Sequence, residues 1–157
     1  AISCIEPAML PIAQSIQQQA QVTTGAQPSV TLSYEQRFLR RKKLVSDDGM
    51  PFLVELGETV SMNAGDAFLL DDGTAIVVKA AIEPLLAVYH DNLPRIAWHI
   101  GNRHTPCQIE ADHILILRDH VLQGMLAGLG ARTEHTEAAF TPEGGAYGHG
   151  RTHSHDH

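Results

Sequence analysis

The sequence predicts an α+β protein, and two features predict it. Asp-Gly turns punctuate β-branched runs before residue 80, and apolar residues recur at helical spacing only after residue 90. With 157 residues and 43% apolar side chains the chain can build one ordinary core or two small ones. Residues 1–28 contain three prolines and a glutamine run with little amphipathic order, which predicts an irregular or weakly helical lead-in through residue 29.

From residue 30 the pattern is one of short aliphatic runs. Asp47-Asp48-Gly49 and Asp71-Asp72-Gly73 are hairpin signals, because glycine supplies the positive φ that tight turns need. Strands are expected at 30–41, 43–46, 52–56, 59–62, 67–70 and 75–79, with Gly57 and Gly65 at further turns, making a small all-β domain over 30–80.

The pattern changes near 80–84. Residues 85–90 (LLAVYH) predict a strand, and 93–104 a helix with Ile96, Ala97 and Ile100 on one face, stopped by Thr105-Pro106. Strands at 107–111 and 113–117 follow. Asp119 stands at an N-cap position, Val121, Leu122, Met125, Leu126 and Leu129 keep helical spacing, and Gly130 fits the residue after the C-cap. A last strand over 131–139 completes β-α-β-β-α-β, the order of a ferredoxin-like domain, here over 81–140. Residues 141–157 (TPEGGAYGHGRTHSHDH) have no apolar period and predict a flexible tail.

Composition excludes some functions. Eleven Lys and Arg against eighteen Asp and Glu, a net charge of −7, argue against a phosphate-backbone partner. No apolar run approaches the roughly 18 residues of a membrane helix, and the N-terminus lacks a signal-peptide pattern, so a soluble cytoplasmic protein is expected. Cys4 and Cys107 lie far apart and are expected to stay reduced.

Of ten histidines, His135, His149, His153, His155 and His157 fall in the last 23 positions. Imidazoles at 149, 153, 155 and 157 on a flexible segment can converge on nickel, copper or zinc, while scarce cysteine argues against a thiolate zinc site. A solvated polar terminus or an expression tag is the alternative, though tags are usually unbroken histidine runs. Gly101-Asn102-Arg103-His104 is the second cluster. At a helix C-terminus His104 would sit beside unpaired carbonyls, a setting that favours a cation. Gly101 inside the helix suggests close approach of another backbone, which a symmetric dimer would provide while bringing two copies of His104 together. The alternative is that His104 only caps the helix and Arg103 faces solvent.

The stretch HIGNRHTP from His99 to Pro106, with Gln108-Ile109, then Arg118-Asp119-His120-Val121-Leu122 and Met125-Leu126, resembles the urease accessory metallochaperone (UreE) family. Pro84-Leu85-Leu86, the Asp-Asp-Gly turns, and Phe140, Glu143 and Gly145-Ala146-Tyr147 before a histidine-rich end add to the resemblance, which runs from about residue 32 onward. It implies a homodimer of two-domain subunits, with the all-β part as the partner- or peptide-binding domain, that carries Ni(II) to apo-urease. The family's central metal histidine falls on His104, and its C-terminal histidines on the tail. Some members carry His-x-His where this chain reads Arg118-Asp119-His120, which leaves His120 there, read as a ligand or as a first-turn surface residue. His99 is read as a ligand or a polar group beside Trp98; His90, His113 and His135 as surface or strand residues; Cys107 as a buried thiol.

Two His104 imidazoles leave a divalent ion under-coordinated, and a tethered tail presents more at about millimolar effective concentration. Neutral imidazole is the ligand form, so protons compete strongly below pH ~6. The basic cluster Arg37, Arg40, Arg41, Lys42 and Lys43 is read either as a solvated edge strand or as a docking surface for an acidic assembly protein. No His-Glu-x-x-His, Gly-x-Ser-x-Gly or P-loop is present, which argues against an enzyme. A passive store or buffer of nickel, zinc or copper is the rival reading.

Overall fold

The computed structural model describes residues 10–19 and 27–144. The chain divides into two compact units, one ending at Ala80 and the other beginning at Ala81.

The first unit is a six-stranded sheet. Its strands are β1 (Ile12–Gln17), β2 (Ser29–Leu32), β3 (Phe38–Val45), β4 (Pro51–Ser61), β5 (Ala67–Leu70) and β6 (Ala75–Ala80), in the order β2-β6-β5-β1-β4-β3. Both Asp-Gly signals make hairpins as read: Gly49 and Gly73 have φ of 93° and 89° between antiparallel partners. The core holds Phe52, Phe68, Ile76, Val54, Val78 and Met62, with the two phenylalanine rings 5.8 Å apart.

Three expectations need correction here. The lead-in is not irregular throughout, since β1 lies inside the sheet, parallel to β4 and antiparallel to β5. Its sequence IAQSIQ is half polar and buries only Ala13 fully, with Ile16 partly buried against the core, so hydropathy announces it weakly. What holds it is backbone pairing and the buried Asp66 carboxylate, which accepts from the backbone N–H groups of Gln19 (2.9 Å) and Asn63 (2.8 Å). The run 30–41 is broken by a turn after Leu32. There Ser33 N–H donates to Gln36 Oε1 (2.9 Å) and Gln36 N–H to Ser33 Oγ (3.2 Å), a reciprocal pairing legible as Ser-x-x-Gln. Gly57 makes no turn; it lies within β4, which runs unbroken from Pro51 to Ser61 and joins the two strands expected there.

Arg37 leaves the solvated cluster as well. It is buried, with Nε donating to Met62 O (3.2 Å) and Nη1 to Leu32 O (3.1 Å), so it ties the turn after β2 to the end of β4. Arg40, Arg41, Lys42 and Lys43 are exposed on β3, an edge strand. The register puts Lys42 opposite the buried Val54, on the core face at the rim, a placement that discourages pairing with another strand.

The second unit is β7 (Ile82–Tyr89), α1 (Leu93–Asn102), β8 (Gln108–Ile109), β9 (Ile114–Leu117), α2 (His120–Gly128) and β10 (Arg132–Ala139). The all-antiparallel sheet order β10-β7-β9-β8 is the split βαβ arrangement, as the element order predicts. Ile96 and Ile100 of α1 and Leu122 and Leu126 of α2 pack on Leu86, Val88, Ile114 and Ile116, one face of the sheet. Strand alternation turns Leu85, Ala87 and Leu115 to the other face, where they are nonetheless buried. The chain is mixed α+β, and among the described residues no helix is long and apolar enough to cross a membrane.

Candidate metal centre

Helix α1 starts where Asn92 Oδ1 accepts the Arg95 N–H (3.2 Å), with a proline in the first turn. Its apolar face is held by Ile96 and Ile100, which leaves Trp98 63% exposed and His99 half-buried, ring edge to ring face at 5.0 Å. The helix ends at Asn102, two residues before the expected end, and His104 stands just outside it.

That end is a Schellman motif. His104 N–H donates to Gly101 O (2.9 Å) and Thr105 N–H to Ile100 O (3.3 Å), which requires a left-handed residue at position 104. His104 supplies it with φ of 57°. Glycine is the usual occupant, and a side chain there costs about 1–2 kcal/mol, although histidine tolerates the region better than most residues. His104 is exposed. The sequence reading of Gly101 finds no counterpart among the described residues: a Cβ there would meet nothing within 4 Å.

Beyond His104 the chain turns into β8. Cys107 is half-buried, and burial first, then the Glu143 carboxylate, push its thiol above the ordinary value, so it is held protonated at neutral pH. This setting suits a thiol and not a thiolate ligand. Glu143 is near because the chain after β10 returns to this loop. Phe140 is fully buried, Thr141 N–H donates to Gln108 Oε1 (2.9 Å), and Glu143 N–H donates to Cys107 O (2.8 Å). Residues 141–143 are therefore tied down, a correction to a tail beginning at 141. The aromatic Phe140 directly after the last strand, in a segment otherwise poor in apolar residues, is the signal that sequence reading passed over.

His120 is the first residue of α2 and is exposed; the Asp119 carboxylate before it caps the helix, accepting from Val121 N–H (2.8 Å) and Leu122 N–H (3.2 Å). His135 is exposed on β10. His149, His153, His155 and His157 lie outside the described residues. Among the described residues no three His, Cys, Asp or Glu side chains converge as a metal cage.

The opposite end of this sheet also holds histidines. An open cleft of about 430 Å³ is lined by Tyr89, His90, Asp91, Asp112, Gly130 and Arg132. His90 Nδ1 accepts the Asn92 N–H (2.8 Å), and His113 Nδ1 lies 2.6 Å from Asp112 Oδ1, a bond that holds the Asp112 carboxyl below its usual range. The Arg132 guanidinium lies 4.3 Å over the Tyr89 ring and pairs with Glu134.

Comparison with known proteins gives matches along nearly the whole chain. Residues 9–81 match the UreE urease accessory protein N-terminal domain, and 83–157 its C-terminal domain. The chain is 58% identical over 132 residues to a urease accessory protein UreE of Ruegeria pomeroyi, covering 84% of this chain and 89% of that one. It is 56% identical over 134 residues to one of Rhodobacter capsulatus, covering 85% of each chain. One of Cereibacter sphaeroides is 55% identical over 148 residues, 94% of this chain and 81% of its own length.

Proposed function

We propose a function from one premise: the chain belongs to the UreE family of urease accessory proteins. The family is one of accessory proteins and not of enzymes, and its role is in urease maturation. In our reading the chain is a metallochaperone that carries Ni(II) to apo-urease. It works as a homodimer in the cytoplasm, in which His104 of each subunit holds the ion and tail histidines His149, His153, His155 and His157 complete its shell, with His120 as a further ligand. Metal bridging extends the dimer to larger assemblies, zinc and copper compete for the same imidazoles, and urease with its other accessory proteins are the partners.

One observation carries the reading: His104 holds an exposed imidazole at a left-handed helix end where glycine would cost less. The chemistry follows. Two rigidly placed imidazoles bind a divalent ion incompletely, and ligands on a tether complete the shell while remaining able to let go. A carrier needs that, since a closed cage of four fixed ligands would retain its cargo.

The test is calorimetric titration of nickel into the intact protein, His104→Ala, and a full chain with the four tail histidines changed to alanine, with mass followed by light scattering. His104→Ala is expected to lose the tightest site at about half an ion per chain, as a ligand shared across a two-fold axis requires, and to lose urease activation. Tail substitution is expected to weaken binding without abolishing that site. If the tail accounts for all binding and His104 for none, the protein is a passive store.

A further inference from the structure

The chain after β10 does not leave the domain from the edge where that strand ends. β10 is one edge of the sheet and β8 the other, yet Thr141 and Glu143 bond to Gln108 and Cys107 at β8. Gln108 pairs with Leu115, and cross-strand partners share a face, so the Gln108 side chain is on the face turned away from the helices. The segment therefore crosses that face. The fully buried Phe140 starts the crossing. At its far side the Gln108 amide is fixed at both ends, Oε1 accepting from Thr141 and Nε2 donating to Glu110 Oε2 (3.0 Å).

We infer that residues 140–143 form a strap that roots the histidine tail against the loop after His104, and that Gln108 is the positioning residue that latches it. The purpose rests on the metal-transfer reading above; the strap itself does not. With the strap latched, the first tail histidine, His149, is tethered six residues from a root bonded to Cys107. Unlatched, the tether is ten residues long and starts at Ala139 on the opposite edge. For a tail acting as a flexible tether, the longer reach and the displaced root together lower the effective concentration of imidazole at His104 about fivefold.

Full chains carrying Cys4→Ser, so that Cys107 is the one thiol, are compared in two forms. The reference is Glu143→Gln, which removes the carboxylate but keeps the N–H donated to Cys107. The unlatched form is Gln108→Leu with Glu143→Pro, which lacks both strap bonds; thermal unfolding verifies that it folds, and Gln108→Leu on the Glu143→Gln reference is the milder second variant. Unlatching is expected to speed reaction of Cys107 with a disulfide reagent several-fold and to lower nickel affinity about fivefold, with no affinity change when the four tail histidines are alanine. An unchanged thiol rate overturns the latch. A faster thiol rate with unchanged nickel affinity overturns the rooting of the tail. His104→Ala in the same assay reads the metal site separately: if it leaves affinity intact, the metal-transfer reading itself falls, whatever the strap does.

Discussion

The two helices of the second unit end in the same motif with different residues. At the end of α2, Gly130 takes φ of 84° while its N–H bonds Ala127 O (3.0 Å) and Ala131 N–H bonds Leu126 O (2.9 Å). At the end of α1 the same two bonds form around His104 at φ of 57°. Backbone geometry therefore asks for glycine at both ends, and one end has a histidine. His90 and His113, at the Gly130 end of the sheet, spend ring nitrogens on a backbone N–H and on Asp112. Histidine content alone thus marks no site; in the reading proposed above, an imidazole kept at a conformational cost is the marker.

The sharpest way to break this comparison is metal binding. His104→Ala is expected to lower nickel affinity at least about tenfold, the scale of one lost coordinate ligand shell partner, whereas His113→Ala or His90→Ala changes it less than about twofold; calorimetry reads both. Equal losses from all three would erase the distinction between the ends. Acidification from pH 7.5 to 5.5 should weaken binding by about tenfold or more, because imidazole binds metal only as the neutral base.

Packing is expected to be shared where capping is not. Ile100 and Leu126 are both fully buried and occupy the same position in the two motifs, so Ile100→Ala and Leu126→Ala should each cost about 2–5 kcal/mol in denaturant unfolding. The caps should then move in opposite directions. His104→Gly is expected to raise stability by about 1 kcal/mol and Gly130→Ala to lower it by a similar amount. In the second case strain alone acts, since the added Cβ would meet His90 Nε2 at an ordinary 3.8 Å. The smallest effect concerns Asp112. Its carboxyl is held below 3.8 by the His113 bond first, so the charged form is favoured in the fold, and that stability is present above pH ~3.8 and lost as pH falls through the lowered value. Asp112→Asn should therefore melt slightly earlier at pH 6, with the gap closing toward pH 3.

Much of this was legible beforehand. The Asp-Gly hairpins, the switch near residue 80 and the β-α-β-β-α-β order follow from turn chemistry and hydrophobic period, both local properties of the chain. What escaped is what tertiary context supplies. β1 is a half-polar strand inside a sheet, and backbone bonds and Asp66 supplement the little apolar surface that Ala13 and Ile16 bury. Arg37 reads as part of a charged run, yet carbonyls of Leu32 and Met62 make it interior. The strap reads as tail because two backbone N–H bonds leave no trace in composition. GNRH pointed at His104, but the left-handed backbone was not foreseeable, because a helix stop without glycine carries no cap signal.

In the function proposed above, His104 occupies a glycine's place in order to hold metal. Nickel titration of His104→Gly beside the intact protein, with unfolding of both measured in the same buffer without metal, tests it most directly. The account predicts a variant about 1 kcal/mol more stable that has lost the tightest nickel site. A His104→Gly protein that binds nickel as tightly as the intact chain would contradict it.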